Sequence, residues 1–113
     1  MKKILTVMIF LVSMSLYSQE AQYAGDKNGY MEYTLVSDDG KLLEKGTYWE
    51  GKKDGYWYSY HQNGRVSATA QFSNNKRVGT WKFYSEEGVL VGEVKYKDNR
   101  RVSAALYKDF SNS

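Results

Sequence analysis

Apolar and polar residues alternate through the second half of the chain, and the alternation repeats. Leu90, Gly92, Val94 and Tyr96 occupy every second position between Gly88 and Asn99, which is how one face of a β-strand reads in sequence. Val66, Ala68, Ala70 and Phe72 form the same face one unit earlier, and Leu42, Gly46 and Tyr48 one unit before that. A second strand follows each of the first, carried by a short Gly-x-Trp segment. In the stretch from Gly79 to Tyr84, Trp81 and Phe83 share one side, while Thr80, Lys82 and Tyr84 take the other. Gln62-Asn63-Gly64 and Glu86-Glu87-Gly88 read as hairpin turns, since Gly adopts the positive φ that tight turns require. Asn74-Asn75-Lys76 and Lys97-Asp98-Asn99 mark the turns at the other ends of the strands. No stretch after residue 20 has helical periodicity. The pattern predicts an all-β fold, a single antiparallel β-meander of repeated hairpins with about seven strands between residues 30 and 107.

The repeat has a fixed length. Gly55-Tyr56-Trp57-Tyr58-Ser59-Tyr60 aligns with Gly79-Thr80-Trp81-Lys82-Phe83-Tyr84 at an offset of 24. Gly40, Gly64 and Gly88 share that offset, as do Tyr48, Phe72 and Tyr96, and Leu42, Val66 and Leu90. The basic pairs Lys52-Lys53, Lys76-Arg77 and Arg100-Arg101 fall on it too. Independent columns at one spacing mean a supersecondary unit used several times.

One copy of the unit contains Tyr48-Trp49-Glu50-Gly51-Lys52-Lys53-Asp54-Gly55-Tyr56-Trp57 with Tyr60 and Asn63-Gly64. The next contains Phe72-Ser73-Asn74-Asn75-Lys76-Arg77-Val78-Gly79-Thr80-Trp81 with Tyr84 and Gly88. These units resemble the bacterial MORN-variant repeat, over about residues 46–98 and fading at both ends. Gly29-Tyr30 with Tyr33 and Asp39-Gly40 looks like a degenerate first copy, and Ser103-Ala104-Ala105 stands where Gly-x-Trp would recur. Worn end copies suit a capped repeat array. The resemblance implies a sheet of stacked hairpins used for protein or membrane association. It also implies kinship with the YwqK-type antitoxin grouping, and it supplies no catalytic residues.

Fixed Trp, Tyr and Phe positions are expected to form ladders across the sheet, because large rings bury much area in a small domain. Tyr56, Tyr58 and Tyr60 lie on the face opposite Trp57 and are the candidates for an amphipathic partner surface. The basic pairs Lys52, Lys53, Lys76, Arg77, Arg100 and Arg101 are expected to occupy equivalent turns and line one edge. Asp38-Asp39 and Glu86-Glu87 would then make the opposite edge acidic. Such an arrangement suits an anionic lipid surface, an acidic protein or self-association through sheet edges.

Composition changes this picture mainly at the N-terminus. Lys2-Lys3 precedes an apolar run, Ile4 to Leu16, broken only by Thr6, Ser13 and Ser15. As a helix that run spans about 20 Å, short of the roughly 30 Å bilayer core, and it reads as a secretory signal peptide over residues 1–18. The remaining organisation is a polar segment 19–29, a repeat domain 30–108 and a tail 109–113. Export to the periplasm, outer envelope or medium is the expectation. The 113-residue chain carries a formal charge of +3, but removing residues 1–18 leaves 14 basic and 13 acidic groups. That near-neutral balance, together with export, argues against nucleic acid as a partner.

Nothing in the sequence assembles a reaction centre. There is no Cys and one His, His61, beside a turn; no nucleophile elbow, metal motif or phosphate loop is present. No enzyme activity and no cofactor are expected. The functional expectation is an exported binding or assembly module of the bacterial envelope, with an unidentified protein partner. The alternative is an antitoxin or immunity protein.

Overall fold

The computed structural model describes residues 19–25 and 28–108; residues 1–18, where a signal peptide is expected, and the expected tail 109–113 lie outside the described residues. Among the described residues every regular element is a β-strand. They are β1 (Gln19–Gly25), β2 (Tyr30–Ser37), β3 (Leu42–Trp49), β4 (Lys52–Lys53), β5 (Gly55–Tyr60), β6 (Val66–Ser73), β7 (Lys76–Arg77), β8 (Gly79–Tyr84), β9 (Leu90–Lys97) and β10 (Arg100–Leu106). They form one sheet, ordered β1-β2-β3-β5-β6-β8-β9-β10, in which every neighbouring pair is antiparallel. This is the expected meander with more strands than expected. Seven of them, counting β4 with β5 and β7 with β8, cover the predicted stretch. The eighth, β1, lies in the segment expected to be a polar lead-in, where Gln19 to Gly25 pairs residue by residue with β2.

The short strands explain a second departure. The tight turns are Glu50-Gly51, Asn74-Asn75 and Asp98-Asn99, with φ of 51 and 82°, 54 and 70°, and 51 and 69°. Positive φ at both central positions is the two-residue hairpin geometry that matches strand twist. The basic pairs therefore begin the returning strands rather than occupying the turns. Tyr48 pairs with Lys53, Phe72 with Arg77, and Tyr96 with Arg101. Asp54 and Val78 then interrupt the pairing, and a register shift falls between Arg101 and Ser103.

Neighbouring units are fastened at both ends of their strands. At the two-residue turns the Lys53 N–H donates to Asn75 Oδ1 at 2.8 Å, and the Asn75 N–H returns a bond to the Lys53 carbonyl at 2.9 Å. One unit on, the Arg77 N–H and Nε both donate to Asn99 Oδ1, at 3.2 and 2.8 Å, and the Asn99 N–H donates to the Arg77 carbonyl. At the other end, His61 Nε2 donates to the Tyr84 carbonyl at 2.8 Å, and Asn63 Nδ2 to that of Glu86 at 2.8 Å. His61 takes the place that Ser37 and Ser85 hold in the equivalent turns.

One face of the sheet carries the packing. Pairing registers place Tyr23, Tyr33, Gly46, Trp57, Ala70, Trp81, Val94 and Ala104 in a single row. In the adjacent row Tyr48, Phe72 and Tyr96 alternate with Gly55 and Gly79. Large and small residues thus form a checkerboard, and the rings meet diagonally as a zigzag. Ring centroids lie 5.9 Å apart for Tyr33–Tyr48, 5.2 Å for Tyr48–Trp57, 6.2 Å for Trp57–Phe72, 5.2 Å for Phe72–Trp81 and 5.0 Å for Trp81–Tyr96. Such tilted and edge-on pairs contribute about 0.5–1.5 kcal/mol each beyond their burial. The expected ladder is a staggered one, and Tyr33 and Trp57 also meet, at 5.4 Å, across Gly46. A Cβ on Gly46 would fall 2.0 Å from the Trp57 ring, so only Gly allows that ring its seat.

Candidate partner-binding face

Trp57 is the one buried hydrophobic side chain among the described residues, at 3% exposure. Its Nε1 donates to the Thr47 carbonyl at 3.1 Å, and Trp81 repeats the bond to the Gln71 carbonyl at 3.3 Å. Burial pushes the Tyr33 phenol up to about 12, with the Glu44 carboxylate adding to the effect, and raises Tyr48 for the same leading reason. This face is occupied by its own rings.

Two of the candidate cations are occupied there as well. Lys53 Nζ lies 4.5 Å from the Trp57 ring centroid and 4.9 Å from that of Phe72; the Arg77 guanidinium lies 4.6 Å from Tyr96. Their stems cover the rings and their charges meet the π-faces, which assigns both to the fold. Lys52, Lys76, Arg100 and Arg101 are exposed. Lys76 pairs with Asp98 at 3.5 Å, an exposed contact worth little. Glu50, Asp54 and Asp98 share this edge, and Asp54 Oδ1 accepts the Asn74 N–H at 3.3 Å. The other edge mixes signs too: Asp38, Asp39, Glu86 and Glu87 stand beside Lys41 and Arg65. Arg65 donates to the Glu87 carbonyl, and the Ser37 hydroxyl donates to Asp39, holding that carboxyl below its ordinary range. The expected division into one basic and one acidic edge is replaced by two mixed edges.

The opposite face holds the three candidate tyrosines. Tyr56 is 57% exposed, while Tyr58 and Tyr60 are half-buried along the same strand, β5. Register extends the row of Tyr58 in both directions: Thr34, Lys45, Tyr58, Thr69, Lys82 and Glu93 stand side by side. Lys45 Nζ reaches 5.8 Å from the Tyr58 ring centroid. At the end of the face, Tyr30 and Trp49 pair across β2 and β3 with centroids 6.1 Å apart, Tyr30 being 39% exposed.

Tyr30, Trp49, Lys45 and Lys82 were not among the residues singled out by sequence. A signal for them exists: each is out of step with the repeat. Trp49 is followed at 24-residue intervals by Ser73 and Lys97, Tyr56 by Thr80, and Tyr58 by Lys82, whereas Tyr60 recurs as Tyr84. The arrangement offers flat amphipathic rings and separated ammonium groups on one broad face of the sheet. Among the described residues no group of three or more His, Asp or Glu side chains is placed to hold a metal ion. His61 gives its Nε2 proton to a carbonyl and is engaged in fastening two turns.

Comparison with known proteins agrees with the repeat seen in both sequence and sheet. A family model described as the MORN repeat variant matches residues 53–74 and again residues 77–98. Neither a curated protein nor a solved structure matches the chain. MORN repeats are generally involved in protein and membrane binding. Residues 53–98 therefore carry two tandem copies of the MORN repeat variant, each one hairpin of the meander.

Proposed function

We propose that this protein is an exported binding module of the bacterial envelope that recognises a protein partner through the face bearing Tyr56, Tyr58 and Tyr60. The observation that carries the reading is the break in periodicity on that face. Six aromatic residues, Tyr30, Trp49, Tyr56, Tyr58, Tyr60 and Tyr84, lie on that side opposite the packed rings, and three of them, Trp49, Tyr56 and Tyr58, depart from the repeat between copies. Rings with one apolar body and one polar tip, flanked by Lys45 and Lys82, have the composition of protein-recognition surfaces. A lipid surface is the weaker reading, because Lys53 and Arg77 cover rings and Lys76 faces Asp98. Export rests on residues 1–18, and fractionation tests it: an uncleaved cytosolic chain would overturn that part.

Replacing Tyr56, Tyr58 and Tyr60 together by Ser should abolish partner capture from envelope extracts, with β-type circular dichroism unchanged. Capture that survives the triple substitution removes the face from consideration. Sedimentation with anionic vesicles at low and moderate salt tests the lipid reading, and salt-sensitive binding lost with Lys52, Lys76 and Arg100 would favour it over the protein partner.

A further inference from the structure

Both outer strands of the sheet have a free edge, and they differ in kind. β10 is exposed along its whole length, with Val102 at 60% and Leu106 at 90% exposure. Beyond its initial Arg100 and Arg101 it carries Val102, Ser103, Ala104, Ala105 and Leu106, with no Pro and no acidic residue. β1, at the other edge, has Glu20 as its single charged residue and Tyr23 as its single aromatic. Among the described residues neither edge carries a Pro or a covering loop; β10 has Arg100, Arg101 and a register shift at its start and pairs regularly from Ser103 to Leu106.

The checkerboard is incomplete at the β10 end. Trp81 is the last large ring of its row, followed by Val94 and then Ala104. Phe83, Gly92, Val94, Ala104 and Leu106 line a shallow apolar groove of about 550 Å³ on the packed face. At the opposite edge the same row begins with Tyr23, whose ring meets Tyr33 at 5.3 Å and Tyr48 at 6.2 Å. The row therefore ends in a small residue on one side and a large one on the other.

We propose that the chain assembles head to tail, β10 of one copy pairing with β1 of the next. Strand direction allows it. Seven antiparallel steps separate β1 from β10, so a second copy translated along the sheet presents β1 antiparallel to β10 with its packed face on the same side. Placing Tyr23 beside Ala104 continues the row and seats the ring over the groove. The same register sets Ala24 beside Ser103 and Ala21 beside Leu106. In this register Glu20, the single charge of β1, stands beside Tyr107, at the end of β10 remote from Arg100 and Arg101. The contact is heterologous, and the twist carried by each copy makes the assembly an open filament rather than a ring. It uses the edges, so it stands apart from the partner-binding face.

The absence of native Cys makes the test direct. Ala24→Cys and Ser103→Cys variants of the full chain are oxidised separately, mixed, and combined in one molecule. Residues opposed across antiparallel strands have Cα atoms about 4.5–5.5 Å apart, within disulfide reach. The expected results are a heterodimer from the mixture and a ladder of covalent multimers from the double variant. Adding Ala104→Glu, which puts a carboxylate in the seat of Tyr23, should reduce the cross-linked fraction about tenfold. A disulfide formed chiefly by Ser103→Cys with itself would establish tail-to-tail pairing and overturn the proposal. No cross-link in the mixture, or a yield unchanged by Ala104→Glu, overturns it equally.

Discussion

Tyr33, Trp57 and Trp81 occupy one column of the repeat on the packed face; Thr34, Tyr58 and Lys82, one residue along, occupy the matching column on the other. The first column keeps its character through three units because every ring there must fit beside a small residue and against two diagonal neighbours. A change of size at one square is felt by the squares around it. The second column is half-buried but holds no chain of interlocking rings, so Thr, Tyr and Lys exchange there at a smaller cost in packing. The same strands thus carry a constrained text on one side and a freer one on the other. What varies on the freer side is the part able to differ between repeats.

The sharpest way to break this comparison is Trp57→Ala against Tyr58→Ala, adjacent residues on opposite faces. The first should lose about 3–5 kcal/mol of unfolding free energy in a urea titration, the second less than about 1 kcal/mol. Equal losses would mean that both faces are packed. Gly46→Ala comes next, with an expected loss of about 1–3 kcal/mol because the Trp57 ring must move to admit a methyl group. The ring displacement should appear in the tryptophan fluorescence.

Alkaline pH should act on the packed face. The Tyr33 phenol titrates near 10 when unfolded and at about 12 in the folded sheet. Its stabilising contribution is whole below pH 10, where both states are protonated. It is lost as pH rises through 12, since the unfolded state releases its proton first. Melting temperature should therefore fall across that window, and Tyr33→Phe should flatten the fall. The smallest expected difference separates two neighbouring lysines. Lys53→Ala should cost about 0.5–1 kcal/mol through loss of the cation over Trp57 and Phe72, and Lys52→Ala less than about 0.5 kcal/mol.

Much of the fold could be read before any coordinates because the repeat multiplies its own signal: one turn sequence is ambiguous, but Gly40, Gly64 and Gly88 together are not. β1 was hidden for the converse reason. Gln19 to Gly25 belongs to no copy of the unit, and its one aromatic, Tyr23, declares a face only once it stands beside Tyr33. The basic pairs were misplaced by two residues because Lys-rich sequence next to Gly or Asn reads as turn. The positive φ values instead fall on Glu50, Asn74, Asn75, Asp98 and Asn99. Lys53 and Arg77 share a column with Lys52 and Lys76 in sequence, yet strand alternation turns one of each pair onto the rings and the other to solvent. Of the candidate face, Tyr56, Tyr58 and Tyr60 were legible from alternation alone. Tyr30 and Trp49 were not, since they come from β2 and β3 and meet only through the cross-strand register.

The order of the strands also decides how the molecule would answer a pull. Gln19 and Leu106 end the outermost strands at opposite edges of the sheet and on the same side of its hairpins. Tension between them runs across the strands, so it loads the outermost pairing first and reaches the next only after the first has parted. Rupture then proceeds as a zipper opens, hairpin by hairpin, each step releasing a similar length of chain because each unit is 24 residues long. A tether made this way yields gradually under load and can close again behind the force.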